Sequence, residues 1–508
     1  ADIWSSGAAF ADVNGDGHLD LYVCAYDSPN RLFLNDGAGN FQDNASEAGV
    51  AVKDASLSAH FQDYDQDGDL DFYLVTNRLY RAGGLPPKEP THIIDGKPAI
   101  LPEFERYYKL EQTGQNRFVV TTKGRPDQLF QNDGTGKFTN ATESAGITGD
   151  HYGLSATWID YDQDNDLDLY VANDFKDPDR LYQNQGNGTF RDVIQQVVPH
   201  TPWFSMGSDA ADMNNDGLVD LFVLDMSSTT HYKQKLNMGD MARHASFMDK
   251  AEPRQLMRNA YFLNSGMGRF LESAHLSGLA SSDWSWAVKL ADFDNDSLTD
   301  VLITNGMTAE LTNADLGRNE SEYIGREEWS YLKDQARRTE PNMAFRNRDG
   351  FQFDKTAKAW GIDHDGMSYA AAWADLDRDG NLDLVVGNLD ENVSVYQHRG
   401  SANSRLLVSL RGLGKNPYGI GAKVTARTGT RTLTRVLNPA TGFMSSNDPI
   451  IHFGLGDAAI IDELVITWPT GTIQVLTGVE ANRHLLISEP NQSIKRDELA
   501  TASMYIPV

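Results

Sequence analysis

Asp63-Tyr64-Asp65-Gln66-Asp67-Gly68-Asp69-Leu70-Asp71 is followed at once by the apolar run Phe72-Tyr73-Leu74-Val75. Five carboxylates on alternate positions repel one another, and such a loop opens unless a cation holds it closed. Oxygen ligands at positions 1, 3 and 5, with glycine at 6 for the sharp turn, describe a calcium loop. Position 7 would offer its backbone carbonyl, and the aspartate at position 9 would close the shell. The phrase recurs at Asp12, Asp160, Asp212, Asp292 and Asp375, making six copies.

The expected ligand sets are assigned position by position. They are Asp12, Asn14, Asp16 and Asp20 with the His18 carbonyl, and Asp63, Asp65, Asp67 and Asp71 with that of Asp69. Next come Asp160, Asp162, Asp164 and Asp168 with Asp166, then Asp212, Asn214, Asp216 and Asp220 with Leu218. The last two are Asp292, Asp294, Asp296 and Asp300 with Leu298, and Asp375, Asp377, Asp379 and Asp383 with Asn381. About six Ca2+ ions are therefore expected. Asn165 and Ser297 stand where glycine is preferred, so the loop at Asp292 departs furthest from the pattern.

An EF-hand would need a helix after the loop and glutamate at position 12. Position 12 is Val23, Leu74, Val171, Val223, Ile303 or Val386, and the residues around it are strand-like. The two closest loop pairs set a unit of roughly fifty residues, a period of propellers or solenoids. The first unit reads as four short strands. They are Ser6–Ala11, Leu21–Cys24, Asn30–Asn35 and Phe41–Asn44, with a glycine turn at Asp36-Gly37-Ala38-Gly39. Four antiparallel strands per unit make a propeller blade. Insertions at about 80–126, 226–257 and 306–341 fall between second and third strands, with helix-compatible stretches such as 321–338. Up-and-down geometry sends all three to the face opposite the loops.

The expected fold is all-β: a calcium-binding propeller of six or seven blades over 1–400, a small β-sandwich over 401–490, and a tail over 491–508. The sandwich is read from alternating strands after the linker Ser401-Ala402-Asn403-Ser404.

The formal net charge is −28. That field argues against nucleic acid or an anionic membrane surface as partner. One cysteine, Cys24, excludes an internal disulfide framework, and no run of about 18 apolar residues spans a membrane. Oxygen-only calcium loops suit a secreted or periplasmic setting, with a signal peptide expected to be already removed before Ala1.

The repeats resemble FG-GAP/VCBS repeats, the calcium-bearing blades also found in integrin α-subunit propellers. The C-terminal part resembles the ASPIC/UnbV domain through Gly419-Ile420-Gly421-Ala422-Lys423-Val424, His452-Phe453-Gly454-Leu455-Gly456 and Trp468-Pro469-Thr470-Gly471. Together these resemble the cartilage-acidic-protein-1-like family, with Met257-Arg258-Asn259 and Asp283-Trp284-Ser285-Trp286-Ala287 matching as well. The resemblance implies a secreted, calcium-binding propeller, often seven-bladed, and supplies no general reaction.

Inter-blade connections place Trp4, His151, Tyr152, Trp203, Asp283, Trp284, His364 and Asp365 on the face away from the loops, and insertions add His231, Lys233 and Asn305. His151, Asp283, His364 and Asp365 are the candidates for acid–base catalysis. Trp4, Tyr152, Trp203, His231, Lys233, Trp284 and Asn305 are the candidates for ligand binding. The bland reading has the tryptophans packing between blades and the histidines as ordinary loop residues. No nucleophile elbow, phosphate loop, HExxH or dinucleotide fingerprint occurs. The leading expectation is therefore a ligand-binding or adhesion-type module whose partner is a glycan, a protein or a small molecule. A biosynthetic lyase, hydratase or cyclase using the same face is the alternative, and a scaffold that binds through its C-terminal sandwich is a third.

Overall fold

The computed structural model describes residues 3–86, 88–114, 117–175, 177–238, 251–309, 313, 315, 324–326, 337–491 and 503–506. Five four-stranded antiparallel meanders and one three-stranded meander succeed one another along the chain. Blade 1 is Ser5–Ala11, Asp20–Pro29, Arg31–Asn35 and Phe41–Asp43. Blade 2 is Lys53–Gln62, Asp71–Thr76, Gln128–Asn132 and Phe138–Asn140. Blade 3 is Gly153–Ile159, Asp168–Asn173, Arg180–Asn184 and Phe190–Asp192. Blade 4 is Ser208–Ala211, Asp220–Val223, Ala260–Asn264 and Phe270–Glu272. Blade 5 is Ser285–Ala291, Asp300–Asn305, Met343–Asn347 and Phe353–Lys355. Blade 6 stops at Ser368–Ala374, Asp383–Asn388 and Ser394–Tyr396.

The second strand of each interior blade is apolar at consecutive positions because both faces of the sheet are covered. Leu169 and Val171 pack toward blade 2 with Tyr73, Val75 and Trp158, whereas Tyr170 and Ala172 pack toward blade 4 with Leu221 and Val223. A half-exposed strand would alternate instead. Innermost strands approach so closely that side chains are excluded at two places. A Cβ on Gly7 would lie 2.4 Å from the Leu57 oxygen, and one on Gly207 would lie 2.4 Å from the Trp286 oxygen. Among the described residues no core cluster joins blade 6 to blade 1, and Phe10 on blade 1 is 47% exposed and Val395 on blade 6 is 59% exposed.

The C-terminal part forms two four-stranded sheets. One contains Ile451–Gly456, Ser404–Arg411, Arg483–Ser488 and Ser503–Ile506; the other contains Arg431–Val436, Lys423–Thr428, Ile460–Thr467 and Ile473–Glu480. Leu406, Val408, Phe453, Leu464, Ile466 and Trp468 fill the space between them. Within the tail, Ser503–Ile506 pairs with the edge of this sandwich.

The first insertion carries two hairpins, Thr91–Ile94 with Lys97–Ile100 and Tyr108–Gly114 with Arg117–Thr122. The second opens with the helix His231–Met238. Most of 321–338, the helix-compatible stretch, lies outside the described residues. Insertions one and three meet at a bridge between Leu85 and Ile324, and insertions two and three meet where Arg338 donates to Asn237 at 2.7 Å.

Candidate functional site

All six acidic loops close in one way. The position-9 carboxylate accepts from the backbone N–H of position 2 through one oxygen. Through the other it accepts from the end of the third strand, as Asp20 does from Val13 and Asn35 and Asp168 from Tyr161 and Asn184. In five of the loops the position-6 N–H also returns to position 1, among them Gly17 to Asp12, Gly68 to Asp63, Gly217 to Asp212, and Gly380 to Asp375. Ser297 does the same to Asp292 at 2.7 Å with φ of 80°, so the serine loop adopts the glycine geometry. Position 4 is also left-handed at Gln66, Gln163, Asn215, Asn295 and Arg378, a second constraint that sequence reasoning missed.

In four loops the carboxylates of positions 1, 3 and 9 offer oxygens that all lie within 4.8 Å of one another. These are Asp63/Asp65/Asp71, Asp160/Asp162/Asp168, Asp292/Asp294/Asp300 and Asp375/Asp377/Asp383. The loops at Asp12 and Asp212 carry Asn14 and Asn214 at position 3. One side-chain oxygen of each of Asp63, Asp65, Asp69, Asp160 and Asp162 is buried without a hydrogen-bond partner. Burial pushes Asp71 and Asp168 up to about 9 and Asp220 up to about 8, with neighbouring carboxylates adding to the rise. Inward-facing orphan oxygens on mutually repelling carboxylates are a donor set for a hard divalent cation.

The outer oxygen of the position-3 aspartate is held separately. Gln131 donates to Asp65 and Gln183 to Asp162, each at 2.6 Å, and Gln397 donates to Asp377. Arg346 pairs with Asp294 at 2.6 Å. Where position 3 is asparagine, the corresponding strand residue is Leu34 or Leu263. Thus the third strand orients the position-3 side chain only when it is a carboxylate, an arrangement of the kind that supports metal ligands. The matched pairs Asp–Gln and Asn–Leu are visible in the sequence once the repeats are aligned.

The asparagine after that residue joins successive blades. Asn132, Asn184, Asn264 and Asn347 each donate to the position-2 carbonyl of the preceding loop: Val13, Tyr64, Tyr161 and Met213. On blade 1, Asn35 donates instead to Leu19 of its own blade.

The C-terminal sandwich covers the loop face. Tyr418 donates to the Gly17 carbonyl at 3.1 Å, Arg431 to Ser297 at 3.0 Å, and Arg405 to the Asp379 carbonyl. The buried Arg435 guanidinium faces Asp292 and Asp212 together and holds both carboxyls lower than burial alone would leave them. Segment 437–448 enters the centre of the ring. Its Ala440 carbonyl accepts from His60 at 3.0 Å, its Gly442 N–H donates to Ser208 at 2.8 Å, and Lys289 donates to the Thr441 carbonyl at 2.8 Å. Asn438 donates to the Trp158 carbonyl, and Asn447 accepts from Trp373. Blades 2 to 6 are therefore all bonded to one strap. The motif glycines lie at this contact: a Cβ on Gly454 would sit 1.9 Å from an Asp292 carboxyl oxygen, and one on Gly421 would sit 2.5 Å from the Gln62 oxygen.

On the opposite face the catalytic candidates occupy separate pairs. His151 faces Asp177 at 3.6 Å, His364 bonds Glu391 at 2.8 Å, and Asp283 bonds Lys233 at 2.9 Å. Asp365 pairs its strand with Pro341. Lys233, Asp283 and Trp284 do come together, with Glu340 accepting from the Trp284 backbone N–H and from Arg338; Glu340 and Arg338 are two groups that sequence reasoning did not single out. Asp283 adopts φ of 66° within this network and also accepts from Thr229. Asn305 is buried and donates to the Pro341 carbonyl. Trp203 is buried and stacked on Phe175 and Phe204, Tyr152 is buried against Thr122, and His231 is exposed at the start of its helix. Trp4 is 55% exposed and leans on Tyr26 with ring centroids 5.3 Å apart.

Comparison with known proteins places these features. A family described as ASPIC and UnbV matches residues 412–494, and one described as FG-GAP-like repeat matches 12–74, 112–171 and 160–223. Cartilage acidic protein 1 of Xenopus tropicalis is 24% identical over 514 residues, covering 96% of this chain. The Mus musculus protein is 22% identical over 544 residues, covering 97% of this chain and 75% of its own length. The chain spans 65% of the length of the Xenopus relative. Similar solved structures include the exotype rhamnogalacturonan lyase YesX, at 12% identity and a TM-score of 0.36 over 94% of this chain and 72% of that one. The Dos1 propeller is another, at 11% identity and 0.36 over 90% and 80%. The chain is thus an FG-GAP-like repeat protein with a C-terminal ASPIC and UnbV domain, homologous to Cartilage acidic protein 1 over most of its length.

Proposed function

We propose that the chain is a calcium-stabilised propeller, secreted or periplasmic, that acts as a ligand-binding or adhesion-type module. Residues 1–400 form the propeller and 401–490 the sandwich in this reading. The observation that carries it is the convergence of the position-1, -3 and -9 carboxylates in four of the loops, with buried oxygens that lack hydrogen-bond partners in the loops at Asp63 and Asp160. Calcium suits them because every donor is a hard oxygen, to which position 7 would add its backbone carbonyl. About six ions would stitch first to second strands and offset the burial, and the smaller carboxylate repulsion, that raise the carboxyl pKa values.

The ligand face is assigned to the side away from these loops. The sandwich occupies the loop side, whereas the insertions build relief on the other. Binding ranks above catalysis because the His and Asp candidates are spread over three separate pairs. No helix among the described residues is long and apolar enough to cross a membrane. The test is a ligand screen on the intact chain in calcium and in chelator. Calcium-dependent binding that is abolished by substitutions on the insertion face supports the reading, and binding lost only by substitutions in the sandwich contradicts it.

A further inference from the structure

Where the first insertion leaves blade 2, a cleft of about 530 Å³ opens between blade 1 and the insertions. That is the size of small-ligand sites, which run from ~300 to ~1,000 Å³. Trp4 and Tyr26 form one wall, at the strand ends farthest from the acidic loops. Tyr80 forms another, its backbone N–H donating to the Tyr26 hydroxyl at 2.6 Å. Three guanidinium groups line the same space: Arg78, Arg81 and Arg326.

The charge of this cleft runs against the rest of the molecule. The chain has a formal net charge of −28, yet among the described residues Arg81 and Arg326 make no ion pair, and Arg78 has only the buried Asp174 carboxyl in its field. The one carboxylate in the lining, Asp27, is engaged by Arg106 at 2.7 Å. Arg78 is fixed by tyrosines: its Nε donates to the Tyr80 hydroxyl at 3.0 Å, and its guanidinium lies 5.3 Å from the Tyr80 ring centre and 5.6 Å from that of Tyr152. Arg81 rests over Phe104 and donates to the Gly84 carbonyl at 3.0 Å. Guanidinium groups present planar, paired donors that match a carboxylate or sulfate. An exposed indole beside tyrosines offers a flat apolar surface with polar edges, which suits the C–H face and hydroxyls of a sugar ring.

We propose that this cleft binds an anionic saccharide, its acid group held by Arg81, Arg326 and Arg78 and one ring lying against Trp4. The proposal rests on the binding-module reading above and names the ligand class of that module. Arg78 is a rigid part of the wall, and Arg81 and Arg326 come from two insertions, so ligand binding also ties those insertions together.

The test is calorimetric titration of the intact chain with a glucuronate-bearing disaccharide and with its neutral methyl ester, calcium being equal in both arms. Binding of the acid, with a loss of about tenfold or more for the ester and for the double variant Arg81→Gln/Arg326→Gln, supports the proposal. Arg326→Gln alone, at an exterior position, gives the same direction if the double variant fails to fold. Equal binding of acid and ester overturns the anionic class, and if that binding is lost in Trp4→Ala the binding-module reading still stands. No binding of either sugar overturns the proposal, whereas the calcium-dependent ligand screen decides the module reading on its own.

Discussion

Asn184→Ala, set beside Asn35→Ala, isolates the bond that joins one blade to the next. Asn184 donates to the Tyr64 carbonyl of blade 2 at 2.8 Å and to Leu167 at 3.3 Å, and accepts from the Gly186 N–H at 3.1 Å. Truncation leaves a buried carbonyl at Tyr64 without its donor. An unsatisfied buried polar group costs about 1–3 kcal/mol, and the lost turn contact brings the total to roughly 2–3 kcal/mol. Asn35 makes the same turn contact with Gly37 but donates to Leu19 of its own blade, at a half-buried position that water enters. Its truncation costs about 0.5–1 kcal/mol. A chain of this size does not unfold in one step, so the assay is local: amide hydrogen exchange over residues 63–71 alongside a thermal scan. Asn184→Ala should speed exchange there roughly thirtyfold, while Asn35→Ala should leave that segment unchanged. Equal effects of the two variants, or no effect of Asn184→Ala on 63–71, would refute the blade-to-blade staple.

Three other outcomes rest on the same geometry. Excess chelator should lower the melting temperature substantially, because emptied loops regain their carboxylate repulsion; an unchanged melting temperature contradicts a structural metal. Gly454→Ala should cost about 1–3 kcal/mol by forcing the sandwich off Asp292 and Asn295, read as faster proteolysis between 397 and 403. Unaltered cleavage there would show that the contact does not hold the sandwich. Acid should loosen the strap through His60, whose burial pushes its pKa down to about 4. The neutral ring donates from Nδ1 to Ala440 and lies 2.9 Å from the Ser58 hydroxyl. Because the folded state resists protonation, this contribution is complete above about pH 6.5 and is lost as pH falls through 4, about 3 kcal/mol in all. The loss between pH 7 and pH 4 should shrink by about that amount in His60→Gln, and identical pH profiles would remove His60 from the account.

The repeats were legible because metal-type loops constrain every second residue, and because strands covered on both faces must be apolar throughout. Phe72-Tyr73-Leu74-Val75 could be placed from its composition alone. Blade 6 was legible to its third strand, where Ser394–Tyr396 ends the sheet. The strap was not legible. Residues 437–448 carry no pattern of their own, and their partners, such as His60 to Ala440, are separated by 380 residues. Gln131 and Gln183 read singly as ordinary polar strand residues, and only comparison with Leu34 and Leu263 reveals their link to position 3. For the inter-blade residues, sequence order could not tell buried packing at Trp203 from exposure at Trp4. The arginine cleft escaped notice because Arg326 lies far along the chain from Arg78 and Arg81, and only folding brings the three together away from the acidic background.

Metal content of the purified intact chain bears most directly on the central claim that the acidic loops are calcium staples. After gel filtration in buffer with low free calcium, elemental analysis should find about six calcium ions per chain, falling when aspartates at position 1, such as Asp63 or Asp160, are changed to alanine. Fewer than one calcium per chain, or a content unaltered by those substitutions, would contradict it.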